Sequence, residues 1–232
     1  MASSTRSRRA SSPRADRALV AGDGRATQRI PAKPNIPMLQ NAARTCKACD
    51  LWKNATQTVF GEGPRSATVM MIGEQPGDME DKAGHPFVGP AGRILDDALH
   101  QTGIDRSQVY VTNVVKHFKW EPAERGKRRI HKKPRNDEIL ACRPWLDAEL
   151  RVVSPKVVVC LGASAAQSLL GRKFRVSKQR GELVPSDLAP HVLATVHPSS
   201  ILRAPDEEAR HAQMRAFVSD LKKVAALIAE NR

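Results

Sequence analysis

Four short apolar runs, each leading into glycine or a polar loop and separated by stretches of helical period, constrain this chain most. Ala67–Gly73 (ATVMMIG) and Lys156–Gly162 (KVVVCLG) are too short for core helices. Their unbroken apolar character predicts strands buried on both faces. Val109–Val115 and His191–Val196 read as two more. Between the runs the period changes. Pro90–Thr102 places Ile94, Leu95, Ala98 and Leu99 on one face and stops at Gly103. Arg135–Val153, Ala163–Leu170 and Asp206–Ala229 read as further helices. The last opens on Asp206, Glu207 and Glu208, acids favoured at the positive end of a helix dipole. Strands alternating with helices predict an α/β fold, a mostly parallel sheet covered on both faces. Such sheets carry their sites beyond the carboxyl ends of the strands. Three of the four runs enter polar loops there, beginning at Glu74, Lys116 and His197.

Charge narrows the partner. The formal net charge is +14, which favours a polyanion, nucleic acid being the commonest. Residues 1–37 carry +6 and residues 119–135 another +6, leaving the rest at +2. Residues 1–37 have almost no large apolar side chains and are predicted to be a disordered basic tail, with residues 38–232 as one domain. No apolar run suits a signal peptide or a membrane span, so a cytoplasmic protein with no membrane partner is expected. Four cysteines in a reducing compartment point to a metal site or to ordinary core residues before a disulfide.

Five segments carry candidate chemistry. Gly73-Glu74-Gln75-Pro76-Gly77, followed by Gly84-His85-Pro86-Phe87-Val88-Gly89, sets an acid and an aromatic among glycines that let backbone approach a planar ligand. It matches no dinucleotide or triphosphate fingerprint, and such a loop alone is more often just a tight turn. Asn113 lies near the end of a strand, where its amide offers the donor and acceptor of a nucleobase edge, or simply forms a turn. His197-Pro198-Ser199-Ser200-Ile201-Leu202-Arg203 offers phosphate ligands, or a capped helix with a solvated arginine. Cys46-x-x-Cys49 with the isolated Cys142 and Cys160 is compatible with a four-thiolate iron–sulfur site, although Cys160 could be core. Lys127-Arg128-Arg129-Ile130-His131 is a basic loop in which the histidine could be incidental.

Taken together and in this order, GEQPG, GHPFVGPAG, TNVVKHF, KRRIH and HPSSILR resemble the family 4, iron–sulfur uracil-DNA glycosylases over about residues 38–230. The KRRIH stretch resembles the UdgX branch of that family. The resemblance implies a three-layer α/β/α fold around a four-stranded, mostly parallel sheet. It implies a 4Fe–4S cluster on Cys46, Cys49, Cys142 and Cys160, and uracil-containing DNA as the partner; a monomer is expected. It implies that Gly73, Gln75, Phe87 and Asn113 bind uracil, Phe87 by stacking and Asn113 by reading the base edge. His197 would stabilise the departing uracil anion, Glu74 would act at the sugar or orient the nucleophile, and His131 would attack the anomeric carbon. Lys127, Arg128, Arg129, Ser199, Ser200 and Arg203 would hold phosphates. Three rivals remain: a family 4 enzyme that turns over with water, a non-catalytic iron–sulfur DNA-binding protein, and a zinc protein acting on RNA.

Overall fold

The computed structural model describes residues 25–124 and 128–230. Its elements run α1 (Ile36–Ala43), β1 (Val69–Gly73), α2 (Asp78–Ala83), α3 (Pro90–Thr102), β2 (Val109–Asn113), β3 (Trp120–Pro122), β4 (Arg129–His131), α4 (Asn136–Val153), β5 (Val157–Leu161), α5 (Ala163–Leu170), α6 (Val176–Gln179), β6 (His191–Thr195), α7 (Pro198–Leu202) and α8 (Glu207–Ala229). Strands β2, β1, β5 and β6 form one parallel sheet in that order, and β3 pairs with β4 as a separate antiparallel hairpin.

The period of two along each strand splits the core. Met70, Ile72, Val158 and Cys160 face α1, α4 and α5, where Leu39, Trp145, Leu146 and Leu169 close one apolar layer. Val69, Met71, Val157, Val159 and Leu161 face α3, α7 and α8, against Leu95, Leu99, Ile201, Phe217 and Leu221. Both sheet faces are therefore dry, which is why these strands read as continuous apolar runs. The three-layer α/β/α architecture is the one expected.

Two features depart from expectation. Residues 25–37, assigned to a disordered tail, belong to the folded body: Ala26 and Ile36 are buried, and Asn35 caps α1 by accepting from the Met38 N–H at 2.9 Å. Ile30 also packs on the core and Arg29 donates to Thr45 Oγ1 at 3.0 Å, contacts that composition alone does not reveal. Residues 1–24 lie outside the described residues. The β3–β4 hairpin was also unforeseen, because its three-residue strands are too short to show alternation. Among the described residues no helix is long and apolar enough to cross a membrane.

Candidate active site

The carboxyl ends of β1, β2, β5 and β6 open on a cavity of about 890 Å³. Glu74, Gln75, Phe87, Asn113, His131, His197, Ser199, Ser200 and Arg203 all line it. Residues separated by more than a hundred positions in sequence thus meet because parallel strands deliver their last residues to one edge.

Asn113 is the last residue of β2 and is 3% exposed. It stands beside Gly73, the last residue of β1, in register. A β-carbon at position 73 would lie 2.3 Å from Asn113 Oδ1 and 3.0 Å from the Phe87 ring. Only glycine admits both groups. Phe87 itself holds a left-handed backbone, φ 56°, unusual for an aromatic residue. Its carbonyl presses so closely on Gly92, at the start of α3, that any side chain there would collide with it. That contact fixes the turn that aims the Phe87 ring into the cavity, where it stacks at 6.0 Å and 27° on the His197 ring.

His197 caps α7. Its Nδ1 accepts from the Ser199 backbone N–H at 3.1 Å and lies 2.8 Å from the Ser199 hydroxyl. A ring nitrogen that accepts a backbone N–H carries no proton, so the neutral ring holds its proton on Nε2. Burial, with Arg203 and His131 adding to it, lowers the His197 pKa to about 4. The side chain is a neutral, fixed hydrogen-bond donor. Across the cavity, His131 Nε2 lies 3.5 Å from Glu74 Oε1. Burial holds His131 below the ordinary histidine range; Glu74 opposes this and Arg203 reinforces it.

A sequence model of the uracil DNA glycosylase superfamily matches residues 60–222. The Type-4 uracil-DNA glycosylase of Thermotoga maritima is 35% identical over 194 residues, 83% of this chain and 94% of its own. The enzyme of that name from Sulfurisphaera tokodaii is 37% identical over 201 residues, 83% of this chain and 84% of its own. That from Archaeoglobus fulgidus is 34% identical over 191 residues, 79% and 88%. This chain belongs to the uracil-DNA glycosylase superfamily.

The β3–β4 hairpin, through His131, forms one wall of the cavity, and Gln75 and Arg129 fasten it. Gln75, expected to bind a base, spends its amide on the hairpin: Nε2 donates to the carbonyls of Lys119 and Lys132 at 3.2 and 3.0 Å, and Oε1 accepts from the Lys119 N–H at 3.0 Å. Arg129, expected on phosphates, is 13% exposed and ion-paired to Asp78 and Asp81, lying over the rings of Phe118 and Trp120. It anchors the hairpin and is not free for DNA. Asp81, fully buried, also accepts from the Thr56 N–H at 3.0 Å. Arg128 is exposed, and Lys127 lies outside the described residues. Ser199 and Ser200 line the cavity, but both hydroxyls are engaged at α7, with His197 Nδ1 and with the His197 carbonyl at 2.8 Å. Of the phosphate ligands expected in this loop, Arg203 remains exposed at the cavity wall.

Sequence reading overlooked a buried ion pair behind Asn113. Lys116 Nζ lies 2.5 Å from Glu149 Oε2 and donates to Thr112 Oγ1 at 2.6 Å and to the Asn113 carbonyl at 2.7 Å. Glu149 also accepts from Tyr110 and from the Gly61 N–H. An acid on the apolar side of α4 was the available signal. With its partners fully hydrogen-bonded, the pair fixes the end of β2.

The four cysteines are free thiols. Cys46, Cys142 and Cys160 share the core layer on one face of the sheet, and Cys49 packs against it. Cys46 accepts from the Trp145 indole and Cys142 from the Lys116 N–H, each at 3.3 Å. Burial pushes the Cys142 and Cys160 thiols up to about 12. Among the described residues no three His, Cys, Asp or Glu side chains gather closely enough to hold a single metal ion. An all-sulfur donor set with N–H groups on its sulfurs suits an iron–sulfur group in chemistry.

Proposed function

We propose that this chain excises uracil from single- and double-stranded DNA and retains the abasic sugar in a covalent bond to His131. The single observation that carries the proposal is the meeting of His131 with Glu74, 3.5 Å apart, in the cavity that also holds Asn113 and His197. The nucleotide would be flipped out of the stack, its base lying against Phe87 with its edge on the Asn113 amide. The bond from the sugar C1′ to uracil N1 breaks with its electron pair on uracil. His197 Nε2–H donates to the anion as charge develops on it. The neutral His131 ring then attacks the oxocarbenium carbon through its lone pair. The alkylated ring loses its remaining N–H proton to Glu74 or to solvent, and uracil leaves as the anion that water protonates. An imidazole bound in this way is a poor leaving group, so the protein stops after one event.

Cys46, Cys49, Cys142 and Cys160 would hold a 4Fe–4S cluster, a reading supported by the Type-4 name of the relatives and by the thiol donor set. Such a cluster would supply structural cross-linking between α4, β5 and the segment after α1. A larger group than one ion also accommodates thiols too far apart to share one.

The conventional reading, in which water attacks and the enzyme turns over, draws on the same names and differs only in giving His131 no role. Release of free uracil from an oligonucleotide with one uracil tests the shared chemistry. One equivalent per protein is expected from uracil-containing strands and none from cytosine or thymine. A folded, iron-loaded protein that binds DNA but releases no uracil would overturn both readings in favour of a DNA-binding module.

A further inference from the structure

Residues 172–180 carry Arg172, Lys173, Arg175, Lys178 and Arg180 with no acid among them. Arg180 is answered by Asp220 at 2.8 Å. Among the described residues the other four have no carboxylate partner, and all four are exposed. The loop that presents them is pinned. Phe174 and Val176 are buried, Gln167 donates to the Phe174 carbonyl at 3.2 Å, and the Arg175 N–H donates to Gln179 at 3.0 Å. Arg175 turns its own guanidinium onto the carbonyls of Arg172 and Phe174, at 2.8 and 3.1 Å, which leaves Arg172, Lys173 and Lys178 as free cations.

The place of this loop gives the charges a direction. Val176 lines the cavity, α6 packs on β6, and the chain that follows pairs with β6 through Leu183 and Leu193. Strand β6 is one edge of the sheet and β2 the other, and the β3–β4 hairpin leaves from β2. Two basic segments therefore flank the cavity at opposite edges. Three strand spacings separate those edges, roughly 14 Å, or about four phosphate steps along one strand of B-form DNA. We propose that Arg172, Lys173 and Lys178 form a second phosphate grip, which holds the DNA strand on the β6 side of the flipped nucleotide while the hairpin holds it on the β2 side. This rests on the reading of the cavity as a uracil-DNA site.

A basic face that is merely solvated would add general attraction with no dependence on which side of the uracil the DNA extends. The test uses the full-length, cluster-loaded protein with R172A/K173A/K178A, and as charge-matched control R210A/R215A/K222A on the exposed face of α8. Binding to single-stranded DNA is measured across salt concentrations. The loop variant should lose roughly two released counterions from the salt dependence and bind about tenfold more weakly at moderate salt, with the control near wild type. Single-turnover excision is then measured on oligonucleotides whose uracil has an arm on one side only. The defect should appear with one arm and vanish with the other. An unchanged salt dependence, an equal loss in the α8 control, or a defect indifferent to the arm would overturn the grip. A wild-type protein that neither binds nor excises uracil-containing DNA would instead overturn the reading of the cavity itself.

Discussion

Gly73 and Asn113 are partners in register at the ends of two neighbouring parallel strands, so close that a methyl group on one would overlap the amide oxygen of the other. The amide proposed to read the base is thus positioned by the absence of a side chain opposite it. Gly73→Ala should fold, since Gly73 does not require a positive φ, but it should push Asn113 and Phe87 out of place. Single-turnover excision should fall by roughly 100-fold, the scale of a 1 Å misplacement. An unchanged rate would mean that Asn113 does not read the base.

Arg129 is the anchor of the hairpin. Arg129→Ala leaves the fully buried Asp81 without its cation, which should lower stability by on the order of 3 kcal/mol and loosen the strand that carries His131. Thermal unfolding measures the first effect and the yield of covalent adduct the second. The salt dependence of DNA binding should stay near wild type in Arg129→Ala and flatten in Arg128→Ala. The reverse pattern would return Arg129 to the phosphates.

The strands and long helices were legible because both signals are local. Val69–Ile72 and Val157–Leu161 are apolar without interruption, and α3 and α5 end where Gly103 and Gly171 stop them. The convergence of Glu74, Asn113 and His197 followed from the parallel topology. What escaped was the spending of side-chain hydrogen bonds. Nothing local in Gln75 says that its amide will clasp Lys119 and Lys132, and nothing in KRRIH says that one arginine turns inward to Asp78 and Asp81. The basic loop at 172–180 escaped for another reason: spread over the remainder of the chain, its charge is cancelled by acids elsewhere.

His117 is buried and His197 half-buried, and loss of solvent lowers the pKa of each to about 4, Asp81 opposing the shift at His117. Unfolded, each would titrate near 6.5. Their contribution to stability is therefore whole above pH 6.5, and it is lost as pH falls from there towards 4, by up to ~3 kcal/mol each. Denaturant unfolding at pH 7.5, 6 and 5 should show this decline, reduced in His117→Gln. The donor role of His197 predicts that excision, scored on protein still folded, holds steady down to about pH 5. A rate that rises with protonation near 6.5 would contradict a neutral donor.

Cys142, a proposed cluster ligand, is buried, with its sulfur on the N–H of Lys116, three residues after Asn113. Purified protein should be brown and hold about four irons. Cys142→Ser should lose colour and iron together and disturb excision through the end of β2. A colourless protein with full activity would remove the cluster from the account.

The central claim is that His131 takes the place of water. Protein incubated with single-stranded DNA containing one uracil, then denatured in hot detergent, should run as a stoichiometric protein–DNA adduct. Mass spectrometry should locate the sugar on His131 with uracil lost. His131→Ala should give no adduct and should release free abasic DNA, since Asn113 and His197 are untouched and water can enter. Wild-type protein that processes many uracils per molecule and leaves no stable adduct would contradict the claim.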